Sequence, residues 1–261
     1  MERVSPDLIK KHIRRSPLLA SAYRLLERDR EVQALLKMTN IMAVTRLKYN
    51  DHGVVHSRIV SGAALELFDI FISRGIKPTS IRDHVVNEEE EAKLIVLFGA
   101  YLHDIGNAIH RIGHHMHGYN LAIPILNRLL PQVIDEKDRF INMRQEILHV
   151  IYSHDEHIRC LTTEAGIVKI ADGTDMAEGR ARIPYQLGKV DMHSLSALAI
   201  DSVEIGQGDE KPVCIRIYMR DTAGLFQIEE VFMKKAETSG LRELIEIEAY
   251  VKNRRLMVSR G

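Results

Sequence analysis

The chain has 261 residues, 45% hydrophobic and 28% charged, which fits a globular protein with one large domain, or a main domain plus a smaller appendage. Lys plus Arg and Asp plus Glu each number 36, so bulk electrostatic binding to nucleic acid or anionic lipid is not indicated, although a local basic patch stays open. Cys160 and Cys214 are far apart and in no metal-type pairing, which predicts reduced core residues.

The N-terminal sequence MERVSPDLIKKHIRR is charged throughout and lacks the apolar stretch of a secretory signal peptide. No apolar run approaches the roughly 18 residues that a membrane span requires. We therefore expect a cytoplasmic protein with no membrane partner.

Helical patterns dominate the first part of the chain. Ser5-Pro6 and Ser16-Pro17 each predict an N-cap followed by proline at the first helical position. The segment LIVLFGAYL is apolar on nearly every face, which predicts a central, buried helix. Longer helices are predicted over about residues 29–48, 54–75, 88–102, 116–130, 136–155 and 162–177.

The pattern changes near residues 195–202. VCIRIYMR and LIEIEAYV alternate apolar and polar residues as strands do, and FQIEEVFMKKAETSG between them predicts an amphipathic helix ended by Gly240. DSVEI is the predicted third strand. The predicted fold class is therefore mainly α, with a helical domain over residues 1–198 and a small C-terminal α/β subdomain over residues 199–261.

Several polar residues lie beside strongly apolar ones on the predicted helices. His56 is at the start of one helix, His103 and Asp104 end another, and Asp172 lies in a third within IVKIADGTDM. Burying such groups is costly unless something satisfies them. Together they offer imidazole nitrogens and carboxylate oxygens, a set that suits Mn, Fe, Zn, Ni or Co. A structural alternative stays open, in which His103 and Asp104 pair with each other or cap the helix.

The segments DHGVVHSRIV, YLHDIGN and KIADGTDM occur in this order across residues 50–177. They resemble the successive motifs of the HD-domain metal-dependent phosphohydrolase superfamily, whose pattern is H…HD…D. The resemblance implies an HD-domain-like core of five or more helices around a divalent metal ion. It also implies His56, His103, Asp104 and Asp172 as metal ligands, without distinguishing Mn, Fe, Zn, Ni, Co or Mg.

Superfamily members with two metals carry further histidines between the doublet and the last aspartate. RIGHHMHGYNLA resembles the segment in which a histidine precedes a glycine by four residues, which selects His114. VIYSHDEH resembles the segment that follows, which selects His154. With these ligands Asp104 would bridge two ions, so the resemblance implies one or two ions per chain and a catalytic role for Asp104.

The remaining histidines near the doublet are less constrained. His110, His115 or His117 could contact a substrate phosphate or act as general acid, with an exposed loop histidine as the alternative for each. We prefer His110 as the catalytic candidate, because it lies six residues past the doublet on the same loop. For His52 and His149 we expect supporting or structural roles.

Four cations lie close in sequence to the candidate ligands. Arg58 and Lys169 could bind a phosphate oxygen or orient a ligand carboxylate, with a surface cation or structural salt bridge as the equal alternative. Arg180 and Arg182, in EGRARIPY, follow the last ligand closely enough to reach an anionic substrate, and arginine grips phosphate in two places. All four are predicted substrate-binding residues.

The resemblance implies a hydrolase. Water activated by a metal ion becomes a nucleophile near neutral pH and can cleave a phosphate ester or anhydride. We expect a phosphatase or phosphodiesterase acting on a small phosphorylated substrate, such as a nucleoside monophosphate, cyclic nucleotide, dNTP or guanosine polyphosphate. HGYN at residues 117–120 lacks the Gly-Tyr-Pro signature of the cyclic-di-GMP subgroup. A non-catalytic sensor of a phosphorylated ligand and a di-iron oxygenase are the alternatives.

The C-terminal unit has two interpretations. MRDTAGLFQIEEVF resembles, over a short stretch, ligand-binding regulatory modules of the ACT type, where an Asp–x–x–Gly turn opens a helix. The preferred alternative is that this unit packs on the helical domain or makes a dimer contact, because fold is a poor guide to function. We predict a homodimer.

Overall fold

The computed structural model describes residues 1–177, 196–252 and 254–259. The predicted substrate-binding residues Arg180 and Arg182 lie outside these ranges. The fold is mainly helical with a C-terminal five-stranded sheet, which confirms the predicted fold class. Among the described residues, no helix has both the length and the apolar character needed to cross a membrane.

The helical part begins after a two-residue strand, β1 (Glu2–Arg3). Its helices are α1 (Ile9–Ile13), α2 (Pro17–Arg28), α3 (Arg30–Asn40), α4 (Val54–Ser73), α5 (Thr79–Arg82), α6 (Glu89–Leu102), α7 (His114–Leu129), α8 (Lys137–Ser153) and α9 (Thr163–Thr174). A π-helical turn, Ile41–Arg46, extends α3, and short 3-10 turns lie at Ile105–Ala108 and Leu130–Gln132.

The C-terminal part alternates strands with one segmented helix. It comprises β2 (Ile200–Gln207), β3 (Val213–Met219), α10 (Leu225–Gln227), α11 (Met233–Thr238), β4 (Ile245–Val251) and β5 (Arg254–Ser259). A π-helical stretch, Ile228–Phe232, joins α10 to α11, and short 3-10 turns lie at Thr222–Gly224 and Arg242–Leu244. The predicted strand–helix–strand unit is therefore present.

Local sequence explains where α2 and α3 begin. Pro17 opens α2, and the Ser16 hydroxyl accepts a hydrogen bond from the Leu19 amide at 3.2 Å, as the Ser-Pro pair predicted. The Asp29 carboxylate caps α3 in the same way, accepting from the amide of Val32 at 3.0 Å. These side chains satisfy backbone amides that a helix start leaves without a partner.

Helix α6 lies at the centre of the helical core. Residues 94–102 are all buried, as their continuous apolar pattern predicted. Helices α2, α4, α8 and α9 pack around it. A methyl group on Gly99 would overlap the Val150 side chain, so this glycine lets α6 and α8 approach closely.

A glycine contact holds the turn after α6 against α7. A Cβ on Gly106 would overlap the carbonyl oxygen of His114 and the amide nitrogen of Gly118. Gly113, at φ +70°, has the left-handed backbone that favours glycine and precedes the first residue of α7. The chain therefore folds back tightly, which brings His114 close to the end of α6.

The sheet has the order β1-β2-β3-β4-β5. Its only parallel pair among the described strands is β3 with β4, in register Val213↔Ile245, and α10–α11 form the crossover between them. Strand β1 pairs with β2 through Glu2↔Ile205, so the first residues of the chain join a sheet formed by the last sixty or so. Helix α11 packs against α9 of the helical core.

Replacing Gly106 by alanine should destabilise the protein. The added methyl overlaps backbone atoms of α7 that cannot move independently, and we expect the free energy of unfolding to fall by about 2 kcal/mol or more. Gly118→Ala is the matched control, because its Cβ would approach the His103 carbonyl oxygen only to 3.3 Å. Urea unfolding measures both variants. If both variants lost the same free energy of unfolding, the close contact at Gly106 would not be the cause of the destabilisation.

Candidate metal centre

The six predicted metal ligands come from the ends of five helices. His56 is in the first turn of α4, His103 and Asp104 follow the last residue of α6, and His114 begins α7. His154 follows α8, and Asp172 is in the last turn of α9. All six side chains are buried among the described residues: His56, His103, Asp104, His114, His154 and Asp172.

Four of these residues form a first ligand cluster. The His56 Nε2 atom lies 3.1 Å from His103 Nε2, 3.2 Å from Asp172 Oδ1 and 3.4 Å from Asp104 Oδ2. The His103 Nε2 atom lies 3.4 Å from Asp104 Oδ2 and 3.8 Å from Asp172 Oδ1. Two nitrogens and two carboxylate oxygens therefore converge on one small volume.

The other oxygen of Asp104 faces a second ligand cluster. Asp104 Oδ1 lies 3.6 Å from His154 Nε2 and 3.8 Å from His114 Nε2, and these two nitrogens are 2.9 Å apart. Asp104 thus directs one carboxylate oxygen at each cluster.

Backbone carbonyls fix the protonation state of the histidine rings. The Nδ1 atoms of His103, His114 and His154 donate to the carbonyls three residues earlier, those of Ala100, Arg111 and Ile151, at 2.8, 3.1 and 2.6 Å. Because a carbonyl oxygen can only accept, each Nδ1 carries the proton and each neutral ring presents a lone pair on Nε2. His56 achieves the same by donating from Nδ1 to Asp175 Oδ2 at 2.6 Å.

The close nitrogen pairs therefore fit a shared cation. Two facing Nε2 lone pairs have no proton to form a hydrogen bond while both rings are neutral. Two imidazole nitrogens about 2.1 Å from one ion lie about 3.4 Å apart at the tetrahedral angle and about 3.0 Å apart at the octahedral angle of about 90°. The distances of 3.1 Å for His56–His103 and 2.9 Å for His114–His154 agree with the octahedral value. The mixed nitrogen and oxygen donors suit a divalent transition metal.

Electrostatics keep these groups in the forms that bind metal. Burial alone would raise the pKa of Asp104, but the neighbouring His103 and His52 outweigh it and hold the pKa well below its usual value. Burial lowers the pKa of His114 to about 2 and also lowers the pKa of His154. At neutral pH the Asp104 carboxylate is therefore ionised and the imidazoles of His114 and His154 are neutral, so these three groups need not lose a proton when a metal binds.

Further residues hold the ligands in place. The His52 Nδ1 donates to Asp104 Oδ2 at 2.7 Å, which fits the supporting role expected for this histidine. Asn107 Nδ2 donates to Asp104 Oδ1, also at 2.7 Å. Such hydrogen bonds orient the side chains that would bind a metal and tune their basicity.

Sequence analysis did not identify three of these supporting residues. Asn107 and Asp175 lie three residues after ligands, within HDIGN and DGTD, and this spacing was the available signal. Lys235, on α11 of the C-terminal part, donates from Nζ to Asp172 Oδ2 at 2.6 Å. Burial would raise the pKa of Asp172, but Lys235 and His56 outweigh it, so the pKa is well below its usual value. No local pattern connects Lys235 to a carboxylate 63 positions away.

The predicted substrate-binding cations have other partners. Arg58 donates to both carboxylate oxygens of Glu27, at 2.8 and 2.5 Å. Lys169 is fully buried and donates to the Ile158 carbonyl and to Thr238 Oγ1. These contacts favour the structural alternative for both cations.

The predicted catalytic histidine lies outside the buried clusters. His110 is exposed on the loop before α7, and its Nδ1 accepts a hydrogen bond from the Ile112 amide at 2.9 Å. In the neutral ring the proton is therefore on Nε2. Its catalytic role remains a prediction.

Comparison with known proteins agrees with this geometry. The family model described as HD domain matches residues 55–177, a range that contains all six candidate ligands. The uncharacterized protein MJ1020 of Methanocaldococcus jannaschii is 44% identical over 229 residues, which cover 88% of each chain. No solved structure matches the chain significantly.

Replacing Lys235 by methionine should weaken metal binding. Without this ammonium group, burial raises the pKa of Asp172, and a protonated carboxyl is a poor ligand. We expect a loss of about 10–100-fold in metal affinity, growing as the pH falls. Chelator competition between pH 6 and pH 8 measures it.

The neighbouring variant Lys234→Met is the control for this experiment. Lys234 is exposed and pairs with Glu230 at 2.8 Å, so its loss should leave metal affinity unchanged. If both variants bind metal as tightly as the wild type at every pH, Lys235 does not support Asp172 as a ligand.

Proposed function

Since the chain belongs to the HD-domain superfamily of metal-dependent hydrolases, we propose that it cleaves a phosphate ester or anhydride of a small, nucleotide-like substrate. The observation that carries this proposal is the buried Asp104 carboxylate, whose two oxygens face two histidine clusters. Paired divalent ions are well suited to phosphoryl chemistry, because they can stabilise both the attacking and the leaving oxygen.

We propose two divalent ions per chain. His56, His103, Asp104 and Asp172 would hold the first, and Asp104, His114 and His154 would hold the second. The chemistry that such ions supply is polarisation of a phosphoryl oxygen and activation of water near neutral pH.

The protein contributes orientation and proton placement. His52 and Asn107 each donate to one oxygen of Asp104 and so fix the plane of the carboxylate between the clusters. Backbone carbonyls behind His103, His114 and His154, and the Asp175 carboxylate behind His56, keep the four Nε2 lone pairs directed inward. His110 would supply a proton from Nε2 to the leaving oxygen, since its Nδ1 already accepts from the Ile112 amide.

A phosphatase screen with metal analysis tests this proposal. Protein loaded in turn with Mn, Fe, Co, Ni, Zn or Mg is assayed with nucleoside mono-, di- and triphosphates, cyclic nucleotides and p-nitrophenyl phosphates. We expect turnover with at least one metal, and a loss of more than about 100-fold in kcat/KM for Asp104→Asn and His103→Ala, since even residues that only support a ligand cost about 10–100-fold.

His84→Asn is the control variant for the screen. His84 is exposed with φ +60°, a conformation that asparagine tolerates, so activity and metal content should not change. Release of no phosphate and opening of no diester by metal-loaded protein would refute the hydrolase. Ligand binding without turnover would then indicate a sensor, and oxygen consumption by the iron-loaded protein would indicate an oxygenase.

A further inference from the structure

We propose that Arg111, His115 and Tyr152 form a nucleotide subsite beside the second ligand cluster, where Arg111 binds a phosphate and Tyr152 stacks against the base. The proposal rests on the proposed function, because it names the substrate contacts of the same site. Phosphate binding is assigned to Arg111, on the loop that leads into α7, instead of to Arg58 and Lys169, whose side chains are held by other groups.

Both the backbone carbonyl and the guanidinium of Arg111 form hydrogen bonds to residues of the candidate metal centre. Its carbonyl oxygen accepts from His114 Nδ1 at 3.1 Å. Its guanidinium donates from Nη1 to Asn107 Oδ1 at 3.3 Å, and Asn107 in turn donates to Asp104 Oδ1 at 2.7 Å. The positive charge therefore lies two hydrogen bonds away from the carboxylate that links the clusters.

No described carboxylate forms an ion pair with Arg111, whose hydrogen-bond partner Asn107 is neutral. Three arginines of the helical part are held by acids: Arg58 by Glu27, Arg128 by Asp29 and Glu31, and Arg139 by Glu91 and Glu136. Arg74 and Arg144, like Arg111, donate to neutral groups, but neither lies next to a candidate metal ligand in sequence. A half-buried guanidinium without a counter-ion can accept an anionic ligand without first breaking a salt bridge. Its planar donors match the oxygens of a phosphate.

A row of aromatic rings leads from the second cluster to the surface. The His114 and His115 rings are 5.7 Å apart, His115 and Tyr152 are 5.3 Å apart, and Tyr152 and Tyr119 are 6.5 Å apart, each pair edge to face. The Asp155 carboxylate lies beside His115, with Oδ2 3.3 Å from Nδ1, and this nitrogen forms no hydrogen bond within the described residues. The row connects the predicted phosphate position to exposed π-faces.

Tyr152 and Tyr119 are exposed to 39% and 36%. Tyr152 is in the last turn of α8, two residues before the ligand His154, so its ring is near the second cluster without being part of the core. Aromatic side chains of this kind bind bases through stacking, which tolerates any base because each has a π-face. A ligand with a phosphate at Arg111 and a base at Tyr152 would be a mononucleotide.

Binding of two probes that need no turnover tests the subsite. Isothermal titration of the metal-loaded protein compares orthophosphate, which has no base, with a phosphonate analogue of adenosine 5′-monophosphate that cannot be hydrolysed. We expect Arg111→Gln to weaken both probes by about 10–100-fold, as for a hydrogen bond to a charged group. Arg111→Lys should recover part of this loss, because it restores the charge without the planar fork.

Tyr152→Ala should weaken binding of the adenosine phosphonate by about tenfold and leave binding of orthophosphate unchanged, while Tyr152→Phe should bind both probes as the wild type does. Arg24→Gln, an exposed arginine on α2, and Tyr218→Ala, on β3 of the sheet, are the matched controls. Metal content is measured for every variant, so that a loss of ligands is distinguished from a loss of substrate contacts.

The outcomes separate this inference from the hydrolase proposal. Orthophosphate binding unchanged in metal-loaded Arg111→Gln, or lost only together with the metal, would overturn the phosphate role. Equal weakening of both probes in Tyr152→Ala, or no preference of the wild type for the adenosine phosphonate, would overturn the base role. The expected binding pattern without any hydrolysis would support the subsite and refute the hydrolase.

Discussion

A carboxylate buried among imidazoles is the constraint on which the rest of this structure depends. Asp104 is 2% exposed and lies within 4 Å of nitrogens from five histidines, those of His52, His56, His103, His114 and His154. An ionised carboxylate and neutral rings cannot satisfy one another fully, because most of the rings offer it lone pairs. A cation resolves this conflict, and the helices bring their ends together at the position where it would bind.

Helix ends suit this purpose for a physical reason. The last carbonyls of a helix have no partner within it, so they are free to accept from side chains nearby. Ala100 near the end of α6 and Ile151 near the end of α8 use these carbonyls to hold His103 and His154. One backbone feature thus satisfies the helix end and selects the ring tautomer that a metal requires.

The candidate ligands could be selected from sequence because they lie in short segments whose order and flanking residues carry the signal. His56, the His103–Asp104 doublet and Asp172 are found in this way, and the structure places them in one buried cluster. The glycine contact at Gly106 and the interaction of Lys235 with Asp172 depend on how distant elements pack, which no local pattern encodes.

The contrast between local patterns and the packing of distant elements also explains which parts of the fold could be predicted from the sequence. Helix α6 has a continuous apolar segment, and strands β3 and β4 have alternating apolar and polar residues, so the sequence alone predicts all three elements. Strand β1 has two residues, too few for a period, and β5 reads RRLMVS, which alternates weakly. Arg58 and Lys169 were assigned to substrate because they are near ligands in sequence, but their partners Glu27 and Thr238 come from elsewhere in the chain.

The contact between Lys235 and Asp172 makes the C-terminal sheet and the metal centre thermodynamically dependent on each other. Helix α11 bears Lys235 and also forms part of the crossover that joins β3 to β4. An event that moved Lys235 with this crossover would change the affinity of the candidate site for a metal, and by reciprocity metal binding would shift the equilibrium of the crossover by the same free energy. The state of the sheet is therefore coupled to the occupancy of a site to which it contributes no ligand.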